Sequence, residues 1–200
     1  MAESTATSNP RGGERAQLLL AMYRSTWDNV NRHILVVWQS IGALTAAFAA
    51  SYLSGKATAG ADIGTALVVV ATAWAGANVI DASGWFNRNL YIIRNIERQL
   101  LAKNDGLVVH PFFLKPARTG MIEHLRIQLT LIAAVGALAL LQHFLTRVLP
   151  FLDLHAKIDF ARWTPYVIVV AAVPVLGKLH KHVQSQFLEL VRIAPGEDPD

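Results

Sequence analysis

The stretch from Ile34 to Leu53 holds 20 residues without one charge. At 1.5 Å per helical residue it covers the roughly 30 Å of a bilayer's hydrocarbon core. Three further runs follow. Ile63 to Ile80 ends at Asp81. Ile127 to Leu145 is followed by Arg147 and Pro150. The last opens at Thr164-Pro165 and reaches Gly177, with Pro174 inside it. Charged residues make up only 16% of the 200-residue chain, against about 25% in soluble domains. They gather between the apolar runs, which is the pattern of a chain whose solvent is a bilayer. The expected fold is all-α, a polytopic membrane helical bundle of four transmembrane helices. Thr164 is read as the N-cap of the fourth span, with a re-entrant or surface-lying helix as its competing reading.

Charge asymmetry gives an orientation. Of the 18 Lys and Arg residues, four precede the first span, seven lie between the second and third, and three follow the fourth. Only Lys56, Arg147, Lys157 and Arg162 fall on the other side. The positive-inside rule then places both termini and the central loop in the cytoplasm, in an inner (plasma) membrane protein. This bias also accounts for the net charge of +4. The basic segments flank spans, so anionic lipid headgroups are the expected partner and nucleic acid is not. No signal peptide fits, because the first apolar run starts late and lacks a cleavage site.

The first two helices are expected to continue beyond the bilayer. Leu18, Leu19, Met22, Tyr23, Trp27 and Val30 recur at helical spacing before the first span. Trp85, Phe86, Leu90, Ile93, Ile96, Leu100 and Leu101 cover one side of a wheel after the second. The resulting division is a disordered tail (1–13), a cytoplasmic stem helix (14–33) and a first transmembrane hairpin (34–80). A second stem helix with its connector (81–126), a second hairpin (127–179) and a tail helix with a frayed acidic end (180–200) follow. Asn104-Asp105-Gly106 should end the second stem, and 107–116 should be an irregular connector.

Small residues recur every four positions: Gly42, Ala46 and Ala50 in the first span, Ala71 with Ala75 and Ala73 with Ala77 in the second, Ala133 with Ala137 in the third. Such rows let helices approach closely. Intrachain packing is the plainer reading and contact between subunits the sharper one. Polar residues within spans are the functional candidates: Gln39 and Ser40, Asn78 and Asp81, and Gln142 with His143. For the last two an interhelical hydrogen bond or simple contact with the interface is favoured. Asn78, Asp81, Gln39 and Trp74 are taken as pore or polar intramembrane positions. Depth matching within the first hairpin sets Asp81 near Arg32 and His33, and Asp28 near Arg88, as pairs that fix register. Glu97 falls inside an apolar arc, so it should find Arg15, Arg24, a third-helix group or another subunit.

Catalytic and metal chemistry find little here. There is no cysteine, and no HExxH, GxSxG or P-loop pattern. His180 and His182 point to different helix faces, and Lys157 sits among Asp153, His155 and Asp159. No catalytic residue, metal or cofactor is expected.

The stretches YRSTWDNVNRHILVVW (23–38) and WFNRNLYIIRNIERQLL (85–101), each joining a span to a stem, resemble the SLATT-type membrane effectors associated with bacterial nucleotide-signalling defence. The resemblance is one of layout over residues 14–104. That group typically has two spans, and the second hairpin here departs from it. It implies a homo-oligomeric, pore-forming or membrane-perturbing role. The leading expectation is a homo-oligomeric channel or membrane effector. The second is a non-conducting anchor or adaptor presenting the stem to a cytoplasmic protein partner. A membrane enzyme or small transporter comes third.

Overall fold

The computed structural model describes residues 10–54, 58–101, 121, 123–151 and 159–193. These form four long helices: α1 (Pro10–Ser54), α2 (Thr58–Leu100), α3 (Glu123–His143) and α4 (Phe160–Ile193). No strand occurs among the described residues. All four helices are long and apolar enough to cross a membrane. Their outer surfaces suit that solvent, since Val167, Val170, Val173 and Val175 of α4 and Ile127, Leu131 and Leu138 of α3 are more than half exposed. Soluble monomers rarely show apolar patches of that extent. Threonines within the helices return their hydroxyls to the carbonyl four residues back, as Thr45, Thr72 and Thr130 do. They therefore present no unmet donor to an apolar environment.

α1 has 45 residues and α2 has 43, so they are about 68 and 65 Å long, roughly twice what a span requires. α1 starts at Pro10 and runs through Gly12 and Gly13, which the sequence placed in the tail. Proline is well suited to a first helical turn, where its missing N–H has no carbonyl to reach. α4 is one continuous helix across Pro165 and Pro174. Its N-cap is Asp159, whose Oδ1 accepts the Ala161 N–H at 3.1 Å, and not Thr164, whose hydroxyl donates to Phe160 O. α4 ends at Ile193, as expected for the tail helix. The end of the second stem near 104–106, the connector 107–116, the 153–158 loop and both chain ends lie outside the described residues.

α2 is the centre of the bundle, packing against α1, α4 and α3. Val37 and Leu44 of α1, Ala75, Val79 and Ala82 of α2, and Leu125 and Ile132 of α3 form the main core. In the first hairpin His33 stacks on Trp85 at 5.4 Å, Tyr23 donates to Glu97 at 3.3 Å and Arg15 to Gln99 at 2.7 Å. These contacts share one antiparallel register, close to that expected from a turn near residue 58.

The small-residue rows divide by helix. Ala75 is wholly buried in the core, whereas Gly42, Ala46 and Ala50 and the pair Ala133 and Ala137 face outward. Two other glycines sit where a neighbouring helix leaves no room for a Cβ. Gly136 of α3 sits against Thr72 of α2, where an added Cβ would lie 2.7 Å from Thr72 Cγ2, and Gly84 of α2 sits against Val183 of α4. Gly136→Val is therefore expected to force α3 off α2, at a cost of about 1–3 kcal/mol, as a lower unfolding temperature in detergent. Gly42→Val, with open space around it, serves as the control.

Candidate functional site

The end of the bundle that carries the α1–α2 turn holds a buried polar cluster drawn from three elements. Asp62 lies in the second turn of α2 and is 3% exposed. His143 closes α3, and Arg147 follows four residues later in a π-helical turn, Phe144–Val148. Tyr166 comes from α4. Asp62 Oδ1 accepts from His143 Nε2 at 2.9 Å and from Arg147 Nε at 3.0 Å. Its Oδ2 accepts from Arg147 Nη2 at 3.1 Å. His143 Nδ1 lies 3.1 Å from the Tyr166 hydroxyl, which also reaches Leu140 O at 3.4 Å. Trp163 packs on Tyr166 at 5.7 Å between ring centroids.

Local structure explains how the groups converge. Residues four apart on an α-helix are offset by about 40° because a turn takes 3.6 residues. A π turn takes more residues, which brings position i+4 closer to the azimuth of i. The switch after His143 thus lets the imidazole and the guanidinium approach one carboxylate. Single π turns of this kind are frequent at functional sites. The two-pronged contact of Arg147 fits the carboxylate geometry that a guanidinium prefers. With the His143 and Arg147 side chains 1% and 15% exposed, the cluster is a charge pair withdrawn from solvent, extended by an imidazole and a phenol.

For His143 the sequence leaves an interhelical hydrogen bond or simple contact with the interface, and the ring is bonded to Asp62 of α2 and Tyr166 of α4. Gln142, paired with it in that reading, is exposed. Asp62, Arg147 and Tyr166 were not recognised as a group. A signal existed: Asp62 immediately precedes an apolar run, while His143 and Arg147 flank the end of another that returns to the same depth.

At the other end of the first hairpin the expected positions spread along α2. Ile63, Leu67, Val70, Trp74, Asp81, Trp85 and Arg88 are all exposed, with Asn78 half-buried among them. They form one open strip along α2, whose remaining residues before Arg98 are buried or half-buried where described. Asp81 borders a groove of about 490 Å³ against α4, facing Gln186 and Glu189. Asn78 Nδ2 is buried with no protein partner among the described residues. Gln39 of α1 is exposed, and neighbouring Ser40 is buried and donates to Val36 O.

Arg88 lies over the Trp85 ring at 5.2 Å, and Trp85 also stacks with His33. Asp28, Arg32 and Asp81 are exposed, and no ion pair among the described residues joins Asp28 to Arg88 or Asp81 to Arg32. The depth of these residues matches while their directions do not, because equal depth leaves the azimuth of each side chain undetermined. Glu97 is buried and takes Tyr23 as a partner, while Arg15 turns to Gln99.

Part of the apolar surface of the C-terminal half of α2 is covered within the chain. Ile93 and Ile96 are buried, and Phe187 of the α4 extension is buried as well. Trp85 and Leu100 remain exposed, as do Leu18, Leu20 and Met22 of α1. Among the described residues no group of three or more His, Asp or Glu side chains is placed to hold a metal ion. No protein-family model, curated protein or solved structure matches the chain, so any reading of its function rests on this geometry.

Proposed function

We propose that the chain is a homo-oligomeric membrane protein in which the open strip of α2 faces an assembly axis and lines an ion-conducting pore. The strip itself is the observation that carries this reading. Val70, Trp74 and Asp81 are exposed along one side of the central helix with Asn78 half-buried among them, and in a bilayer Val70 and Trp74 would lie at membrane depth with Asn78 and Asp81 below them. Repeated around an axis, Asp81 would form a ring of carboxylates, which favours cations, and the apolar side chains above would close a dewetted gate. The outward small-residue row of α1, Gly42, Ala46 and Ala50, suits close contact with a neighbouring subunit. Head-to-tail contacts of that kind close into rings. In this reading the termini and stems are cytoplasmic, and the protein acts as a bacterial pore-like membrane effector, the role implied by the resemblance of its layout.

Mass in native nanodiscs and bilayer recordings of the purified protein test the proposal together. Asp81→Asn is expected to lower selectivity for cations over anions, and Trp74→Ala to raise leak through the closed state. A monomeric particle with no conductance would reject the pore. That result would favour a second reading, a non-conducting anchor whose stem engages a soluble protein partner. The exposed Leu18, Leu20 and Met22 of α1 are the observation behind it.

A further inference from the structure

We propose that His143 is a proton-binding site, at which uptake of one proton reverses the Tyr166 hydroxyl from the imidazole to the Leu140 carbonyl. The inference rests on the buried cluster and is independent of the pore reading.

The hydrogen-bond inventory restricts the cluster to two arrangements. Asp62 is engaged by the guanidinium through both oxygens, so it is an ionised acceptor. His143 Nε2, 2.9 Å from Oδ1, must then carry hydrogen and donate. In a neutral imidazole Nδ1 is left with its lone pair, and the Tyr166 hydroxyl donates to it across 3.1 Å. Charge is balanced in this state, one carboxylate against one guanidinium.

A second state uses the same atoms. When a proton binds Nδ1, that nitrogen becomes a donor and the Tyr166 oxygen must accept from it. The phenolic hydrogen then needs another acceptor, and Leu140 O stands 3.4 Å away. The balance is one proton gained on nitrogen, with the O–H of Tyr166 rotated and no covalent bond to carbon broken. Asp62 Oδ1 already takes hydrogen bonds from both His143 and Arg147, so it faces either form of the ring. Without Leu140 O the protonated ring would confront a hydroxyl with nowhere to send its hydrogen. The 3.4 Å separation is long for an O–H···O bond, which is usually 2.5–3.0 Å. The protonated state therefore draws the phenol of α4 toward the α3 backbone.

Among the described residues the other charged groups near the ring are few. α2 contributes Asp62, the π turn Arg147, and α4 Tyr166, with the Asp159–Arg162 pair at its start, 3.7 Å apart. Residues 34–53 of α1 carry no charge. Among the described residues Asp62 is thus the carboxylate in contact with the imidazole.

The test is NMR of the full-length protein in nanodiscs, with 15N-labelled histidine and 13Cζ-labelled tyrosine, scanned between about pH 5 and 8, where imidazole charge changes are sought. The expected result is a neutral ring protonated on Nε2 at the alkaline end. On acidification Nδ1 should gain hydrogen, and the Tyr166 Cζ signal should shift over the same interval. His143→Gln keeps a donor for Asp62 and cannot take up a proton, so its Tyr166 signal should not respond to pH. Tyr166→Phe assigns that signal by removing it. A neutral ring protonated on Nδ1, a His143 signal constant across the range, or a Tyr166 signal that stays fixed while His143 titrates would each overturn the proposal. So would a pH response of Tyr166 that persists in His143→Gln.

Discussion

Arg147→Met is expected to destabilise the protein by about 3–5 kcal/mol, the range found when one partner of a buried ion pair is removed. The reason is the position of Asp62 more than the loss of attraction. The carboxylate is 3% exposed and takes two of its three side-chain hydrogen bonds from the guanidinium. Removing Arg147 leaves a negative charge in an apolar interior with only the imidazole to answer it. Asp62→Leu in the same chain removes that charge as well. The double variant should recover most of the loss, because replacing both partners of a buried pair with apolar groups is often close to neutral. Unfolding in a detergent of fixed composition gives the four corners of the cycle. An Arg147→Met protein as stable as the parent would mean that the pair is solvated and that the cluster is not a structural clamp.

The second large effect is all-or-none. The chain contains no cysteine, so single cysteines can be introduced without background. Ser25 in α1, Ser185 in α4 and Ala161 at the start of α4 are all exposed. With cytoplasmic termini, Cys at 25 and 185 should react with a membrane-impermeant maleimide only after the cells are opened, and Cys at 161 should react on intact cells. Labelling at 185 from outside would break the four-span arrangement. The 34-residue length of α4 makes this the sharpest check on the fourth segment, since the sequence alone left a surface-lying helix open. By sequence Pro165 opens the fourth run and Pro174 interrupts it, whereas both lie inside α4. The helix accommodates both, and a proline that lacks an N–H removes one intrahelical bond without ending the helix when neighbouring packing holds the chain.

What the sequence determined here is one-dimensional. A run free of charge fixes where a helix can cross a bilayer, because an unpaired charge in hydrocarbon is costly and every backbone polar group must be satisfied within the segment. That reasoning found the four apolar segments, the long continuations of α1 and α2, and the antiparallel register that sets His33 beside Trp85 and Tyr23 beside Glu97. Depth along a helix axis is legible because it is a count of residues. Rotation about that axis is not, because it depends on which neighbours the helix meets. Arg88 therefore lies at the expected depth yet over Trp85, and the close approaches fall on Gly84 and Gly136 while the alanine and glycine row of α1 faces outward. Tertiary structure alone decided that α4 lies along α2 and covers part of its C-terminal half. It also decided that a π turn after His143 would bring residues from α2, α3 and α4 together around one carboxylate. Asp62 and Arg147 are 85 positions apart, and no local propensity specifies such a meeting. It follows from the antiparallel packing of α2 and α3, in which Gly136 lies against Thr72.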